Sequence, residues 1–166
     1  MKRFSFFLII VIVCISCGRV TFNMSGATVG NAKTCQIIYF DNRADIVNPR
    51  LSAQITDALK DKIQSSTSLK LVNSNADVMF EGEISGYSVQ PQQITAQNVA
   101  AKDRLTVTIK VKFTNEIDPD KSYEKSFSHF QEYAGGTALS SVEAQLVDDI
   151  LKDMIEDIFN EAFASW

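Results

Sequence analysis

Three basic side chains share one predicted strand and could bind an anion. From Arg104 onwards the sequence alternates, so that Arg104, Lys110 and Lys112 fall on one side of the strand and apolar residues on the other. Side chains two residues apart on a strand lie about 6.8 Å apart, and lysine and arginine are the usual groups that bind phosphate. Two interpretations remain open: a phosphate-binding surface, or a solvated face whose charge is neutralised by Glu81 and Glu83.

Cys17 is the second residue with predicted chemistry. It follows Ser16 at the end of an uncharged apolar run, and that run begins after Lys2 and Arg3. A basic pair followed by about a dozen apolar residues is typical of a secretory signal peptide, whereas a bilayer-spanning helix needs about 20. The ending Cys14-Ile15-Ser16-Cys17-Gly18 resembles the bacterial lipobox, although its first residue is usually leucine. That resemblance implies a Cys17 acylated with fatty acids such as palmitate; the alternative is an ordinary signal peptide, or a segment that serves only as a membrane anchor, with an incidental cysteine.

This cleavage would divide the chain into three parts. They are a signal peptide at residues 1–16, a lipid-anchored polar tether at 17–34 and one domain at 35–166. Loss of the first part would lower the formal net charge from −4 to −6, so the lipid rather than electrostatic attraction would hold the protein to a membrane. The acidic balance also gives no reason to expect nucleic-acid binding. Resemblance to other lipoproteins, which carry aspartate after the cysteine when they stay at the inner membrane, favours the periplasmic side of the outer membrane.

Catalytic signals are missing from the sequence. It contains no nucleophile elbow, zinc-ligand spacing, phosphate loop or dinucleotide fingerprint. The single histidine, His129, is interpreted as a structural or surface residue, and Cys35 as a buried small hydrophobe rather than a reactive thiol. We therefore predict no enzyme activity, no cofactor and no metal site.

The hydrophobic patterns predict a single α+β domain in the order β-α-β-β-β-α. Its sheet has about four strands, and two helices pack on one face of it. A capping box at Ser140–Glu143 marks the start of the second helix. Gly82 and Gly86 fall on the apolar face of the second strand, which predicts the close approach of a helix there. The predicted strands are 35–40, 76–89, 104–114 and 121–133, and the predicted helices are 48–65 and 140 to near residue 166.

Several segments, taken in order, carry a family resemblance. They are Ile38–Arg43, Val47–Pro49, Thr67–Asn73, Phe80–Tyr87, Arg104–Asn115 and Ile158–Asn160. Together they resemble the LptE family, the lipoproteins of the lipopolysaccharide-assembly complex, over nearly all of the mature chain.

The resemblance implies a non-enzymatic role at the outer membrane. Family members plug an LptD-type β-barrel, help it to assemble and can bind lipopolysaccharide, in part through basic residues of the sheet. Arg104, Lys110 and Lys112 are the candidates for that contact here. A different class of protein remains as the alternative: an accessory scaffold lipoprotein of a secretion channel or a Tol-type periplasmic complex, without a glycolipid ligand.

Overall fold

The structure is a computed structural model that describes residues 29–46, 48–92 and 101–164 of the chain. The predicted signal peptide 1–16, the predicted lipidation site Cys17 and most of the predicted tether 17–34 lie outside the described residues.

Within the described residues, six strands and two long helices form the α+β fold. The helices are α1 (Leu51–Ser66) and α2 (Leu139–Phe163), and a short 3₁₀ turn at Pro119–Lys121 precedes the last strand. The strands are β1 (Thr34–Ile37), β2 (Asp41–Asn42), β3 (Lys70–Leu71), β4 (Val78–Gln92), β5 (Lys102–Asn115) and β6 (Tyr123–Ala134).

Strand β4 lies at the centre of the sheet. The strand order is β3-β1-β4-β5-β6, and β2 pairs with β4 beyond the end of β1. The pairs β3–β1, β1–β4 and β2–β4 are parallel, whereas β4–β5 and β5–β6 are antiparallel. The three long strands β4, β5 and β6 therefore make one continuous surface, and β6 is its edge.

The α+β class and the two helices on one face are confirmed, but the predicted strand count is wrong: the sheet has six strands rather than about four. The additional strands β2 and β3 have two residues each, which is too short for an alternating pattern to develop. The predicted first strand is also divided, because the chain turns Phe40 into the core between β1 and β2.

Gly82 is needed because of that turn. A Cβ atom at this position would overlap the ring of Phe40, which is fully buried. The close approach predicted here thus comes from a single aromatic side chain and not from a helix.

The apolar side of the sheet packs against both helices. Leu51, Ile55, Leu59 and Ile63 of α1 are fully buried, as the spacing of three and four residues predicts. At one end of the core, the rings of Phe80, Phe113 and Phe163 lie 4.8 to 5.9 Å apart between centroids, joining β4 and β5 to the last turn of α2.

A β-bulge in β4 changes which side chains face the helices. The pairing with β5 shifts between Ile84 and Gly86, so the alternation does not continue through the strand as predicted. Beyond the bulge, Gly86 lies opposite Thr108 on the outer face, and Tyr87 enters the core. A bulged residue reverses the facing of every residue that follows it, which the sequence pattern did not show.

Candidate functional site

The face of β4, β5 and β6 that lies opposite the helices is the candidate site, and we call it the open face. Lys110 and Lys112 lie on it, and Arg104 lies further along the same strand. Their alternation with buried Leu105, Val107, Ile109, Val111 and Phe113 places all three on this side, as predicted. Arg104 and Lys110 are six positions apart, which is about 20 Å along a strand. The structure therefore brings the two lysines together and leaves Arg104 apart from them.

Each lysine of the pair is bound to a carboxylate. Lys110 forms an ion pair with Glu124 of β6, and Lys112 lies 3.7 Å from Glu81 of β4. The hydrogen bond and charge of Lys110 lower the pKa of the Glu124 carboxyl, and Glu124 in turn raises the pKa of Lys110. Both members of this pair are therefore ionised at neutral pH.

Arg104 is held by two neighbours on β6. Its Nη2 donates a hydrogen bond of 2.7 Å to Glu132, and its guanidinium lies 4.0 Å from the centroid of the Phe130 ring. Lys102 also donates to Glu132, at 3.1 Å. These two hydrogen bonds lower the pKa of the Glu132 carboxyl, and the bond from Arg104 has the larger effect.

A groove opens where the lysine pair meets the end of β1. Its volume is about 340 Å³, and its lining adds Ile38, Tyr39, Asp41 and Arg43 to the residues already described. Arg43 Nε lies 3.2 Å from the Glu83 carboxylate, and the backbone amide of Arg43 donates a hydrogen bond of 2.9 Å to the carbonyl of Ile84. We call this the Tyr39 groove.

Sequence reasoning missed Arg43 and Tyr39. The predicted first strand ends at residue 40, whereas Asp41–Asn42 forms β2 beside β4 and positions Arg43 next to Glu83. The signal in the sequence that could have indicated this groove is Tyr39, an aromatic residue near the end of an apolar run. In the structure Tyr39 is 56% exposed.

The remaining candidate groups have structural partners. His129 Nε2 lies 2.8 Å from Asp157 of α2, and Cys35 is fully buried, which raises the pKa of its thiol to about 12. The partner of His129 and the burial of Cys35 agree with the structural roles predicted for these two residues.

Within residues 29–46, 48–92 and 101–164, no group of three or more His, Cys, Asp or Glu side chains could hold a metal ion. None of the helices found in that part of the chain has the length and apolarity needed to cross a membrane.

Glu143 does not complete the predicted capping box. Its carboxylate accepts a hydrogen bond of 2.5 Å from the Tyr87 hydroxyl and one of 3.0 Å from Asn48 Nδ2. It thereby joins β4, α2 and the residues before α1.

Solved structures with the same fold include proteins from several bacteria. A minor lipoprotein from Acinetobacter baumannii has a TM-score of 0.51 and 12% sequence identity, over 78% of this chain and 91% of that one. A hypothetical protein from Chlamydia trachomatis has a TM-score of 0.56 and 10% sequence identity, over 80% of this chain and 99% of that one. A protein from Xanthomonas campestris has a TM-score of 0.51 and 8% sequence identity, over 77% of this chain and 82% of that one. These likenesses show the fold alone.

A comparison with curated proteins finds no match. A family model described as LptE, lipopolysaccharide-assembly, matches residues 32–162, which is most of the chain and includes all six strands and both helices except the final residue of α2. Together with the α+β fold, this match places the chain in the LptE family of lipopolysaccharide-assembly proteins.

Proposed function

We propose that this protein is a non-enzymatic outer-membrane lipoprotein that plugs an LptD-type β-barrel, helps that barrel to assemble and assists the transport and insertion of lipopolysaccharide. The family match over residues 32–162 is the observation that carries the proposal. A sheet with one face covered by helices and one face open also suits a protein that must pack against a partner and still contact a ligand.

The anchor in this proposal is a lipid on Cys17 at the periplasmic side of the outer membrane. A Cys17→Ser chain should keep its signal peptide or appear in the soluble periplasmic fraction, because it can no longer be acylated. Fractionation of membranes and mass spectrometry of the mature N-terminus measure this. Normal processing and membrane association of Cys17→Ser would rule out this anchor.

Contact with lipopolysaccharide is proposed for the open face, through Arg104, Lys110 and Lys112. Every one of these cations has a carboxylate partner, so ligand atoms must share or displace those partners. The double variant Lys110→Glu/Lys112→Glu should bind lipopolysaccharide more weakly and still fold, since both side chains point away from the core. Lys60→Glu/Lys152→Glu, on the two helices, is the matched control and should bind like the unchanged protein.

Co-purification identifies the protein partner. Detergent-solubilised outer membranes should yield an LptD-type barrel together with the tagged full chain. A secretion channel or a Tol-type complex in its place would instead support the scaffold function without a glycolipid ligand. The barrel should also co-purify with Lys110→Glu/Lys112→Glu; its loss there would mean that the open face contacts the barrel wall.

A further inference from the structure

The Tyr39 groove has a volume large enough for a small-molecule ligand. Its volume of about 340 Å³ falls within the range of about 300–1,000 Å³ found for ligand pockets. It is bounded by the exposed ring of Tyr39, by Ile38 and by the backbone of Gly82, with charged side chains around them. A flat aromatic surface therefore stands beside polar groups within one cleft.

The charges of the groove do not favour an anion. Its three cations, Arg43, Lys110 and Lys112, are outnumbered by four carboxylates, which belong to Asp41, Glu81, Glu83 and Glu124. The cations are already paired: Arg43 Nε lies 3.2 Å from the Glu83 carboxylate, and Lys110 forms an ion pair with Glu124. A phosphate entering this cleft would meet a formal charge of −1 and would have to break existing ion pairs, so it would gain little Coulomb energy.

The same arrangement suits sugar hydroxyl groups. A hydroxyl donates one hydrogen bond and accepts others, and each ion pair presents donors on the cation next to acceptors on the carboxylate. A sugar ring also has apolar C–H faces that can lie against an aromatic ring such as that of Tyr39. Neither contact requires a net charge on the ligand.

We propose that the Tyr39 groove binds the neutral sugar part of the glycolipid, with Tyr39 as the stacking surface and the ion pairs of Arg43 and Lys110 as hydrogen-bonding groups. This inference rests on the proposed function and names which chemical part of the ligand the site contacts. It also separates the roles of the basic residues, because Arg104 lies outside the groove.

The test uses an oligosaccharide that lacks both lipid and phosphate. The sugar core is released from lipopolysaccharide by mild acid, dephosphorylated, carboxyl-reduced so that its acidic sugar becomes neutral, and titrated into the detergent-purified full chain by calorimetry. Saturable binding is expected, with little change when salt is raised, because hydrogen bonds to a neutral ligand are not screened as ion pairs are. Inorganic phosphate should not compete.

Two variants distinguish contact from structural damage. Tyr39→Ala should weaken oligosaccharide binding by about tenfold or more, since aromatic anchors carry much of the binding energy at such sites. Phe130→Ala removes an aromatic ring of similar exposure, 50% against 56%, on the same open face but outside the groove, and should leave the affinity unchanged. Circular dichroism of both variants should match that of the unchanged chain. The thermal melt of Tyr39→Ala should also match it, whereas Phe130→Ala should melt slightly earlier because Arg104 loses the ring on which it stacks.

Other outcomes overturn the inference. No binding of the oligosaccharide, equal affinity of Tyr39→Ala, or displacement by phosphate would each remove the sugar site. Barrel co-purification with the unchanged chain is measured on the same preparation. A barrel that is present without oligosaccharide binding overturns only this inference, whereas an absent barrel overturns the proposed function.

Discussion

Arg104 and Lys112 lie on the same strand face but are held very differently. Arg104 combines a 2.7 Å hydrogen bond to Glu132 with a stacked Phe130 ring, and about a third of its side chain is exposed. Lys112 has one carboxylate at 3.7 Å, and more than half of its side chain is in water. A stacked guanidinium contributes through contact with the ring as well as through charge, whereas a solvated lysine pair contributes little.

Arg104→Ala should therefore destabilise the protein, whereas Lys112→Ala should not. Loss of the cation–π contact alone should cost about 0.5–1 kcal/mol. Urea denaturation followed by circular dichroism measures both variants, and Arg104→Lys shows how much of the effect needs the planar guanidinium. Equal midpoints for Arg104→Ala and Lys112→Ala would contradict this account.

The bulge in β4 matters at the scale of elements because it sends Tyr87 into the core. The Tyr87 hydroxyl then reaches Glu143 of α2, and burial together with this carboxylate raises its pKa above the usual range. Asn48, just before α1, donates to the same carboxylate. One half-buried set of hydrogen-bonded side chains thereby connects the central strand with both helices.

Tyr87→Phe should cost about 1–3 kcal/mol of unfolding free energy, because a hydrogen bond to a carboxylate is lost without a change in side-chain volume. Tyr123→Phe is the matched control. Its hydroxyl donates only a long hydrogen bond of 3.4 Å to the carbonyl of Ile158, so its removal should change stability little. Chemical denaturation compares the two, and a larger loss in Tyr123→Phe would show that the Tyr87 network is not a major connection.

The packing of α2 against the sheet gives a second prediction for the elements. Ile150 of α2 and Phe80 of β4 are almost completely buried. Ile150→Ala and Phe80→Ala should therefore each lower the free energy of unfolding by about 2–5 kcal/mol. Ile117→Ala truncates a half-exposed side chain and should be nearly neutral. Thermal melts that do not change for both core variants would contradict the observed packing.

Long elements were predictable and local irregularities were not. The facing of β5 followed from ten residues of unbroken alternation, and the apolar stripe of α1 followed from its spacing. The bulge near Gly86 and the two-residue strand β2 leave no periodic signal, yet they determine the positions of Tyr87 and Arg43. The candidate site was thus only half predictable: its lysines lie on a regular strand, and its groove depends on an irregular connection.

The whole molecule should lose stability in acid. The pKa of Asp77 is lowered by hydrogen bonds from the amide of Lys33 and from the hydroxyl and amide of Thr34. The pKa values of Glu124 and Glu132 are lowered by their cation partners. The unfolded chain consequently binds more protons than the folded one in the acidic range, so the free energy of unfolding rises with pH there.

This stabilisation should be complete above the ordinary carboxyl pKa values, 3.8 for Asp and 4.5 for Glu, and should be lost as the pH falls through the lower folded values. Urea midpoints measured between about pH 3 and pH 6 follow it. Asp77→Asn should flatten the curve, and Asp45→Asn, at an exposed carboxyl, is the control. A curve that Asp77→Asn leaves unchanged would contradict this role of Asp77.

Two polar side chains that β6 directs towards α2 also protect the molecule from self-association. Lys125 Nζ lies 2.6 Å from Glu161 and His129 Nε2 lies 2.8 Å from Asp157, so the edge strand of the described sheet carries polar groups on the side where an apolar row would otherwise continue. An edge strand of 12 residues without proline or glycine is a template for another chain's strand. A second copy that extended the sheet here would have to bring its own Lys125 and His129 against these positions and desolvate them. The contacts of Lys125 and His129 that attach α2 to the sheet thus also keep the edge strand hydrated, which disfavours the addition of further copies to the sheet.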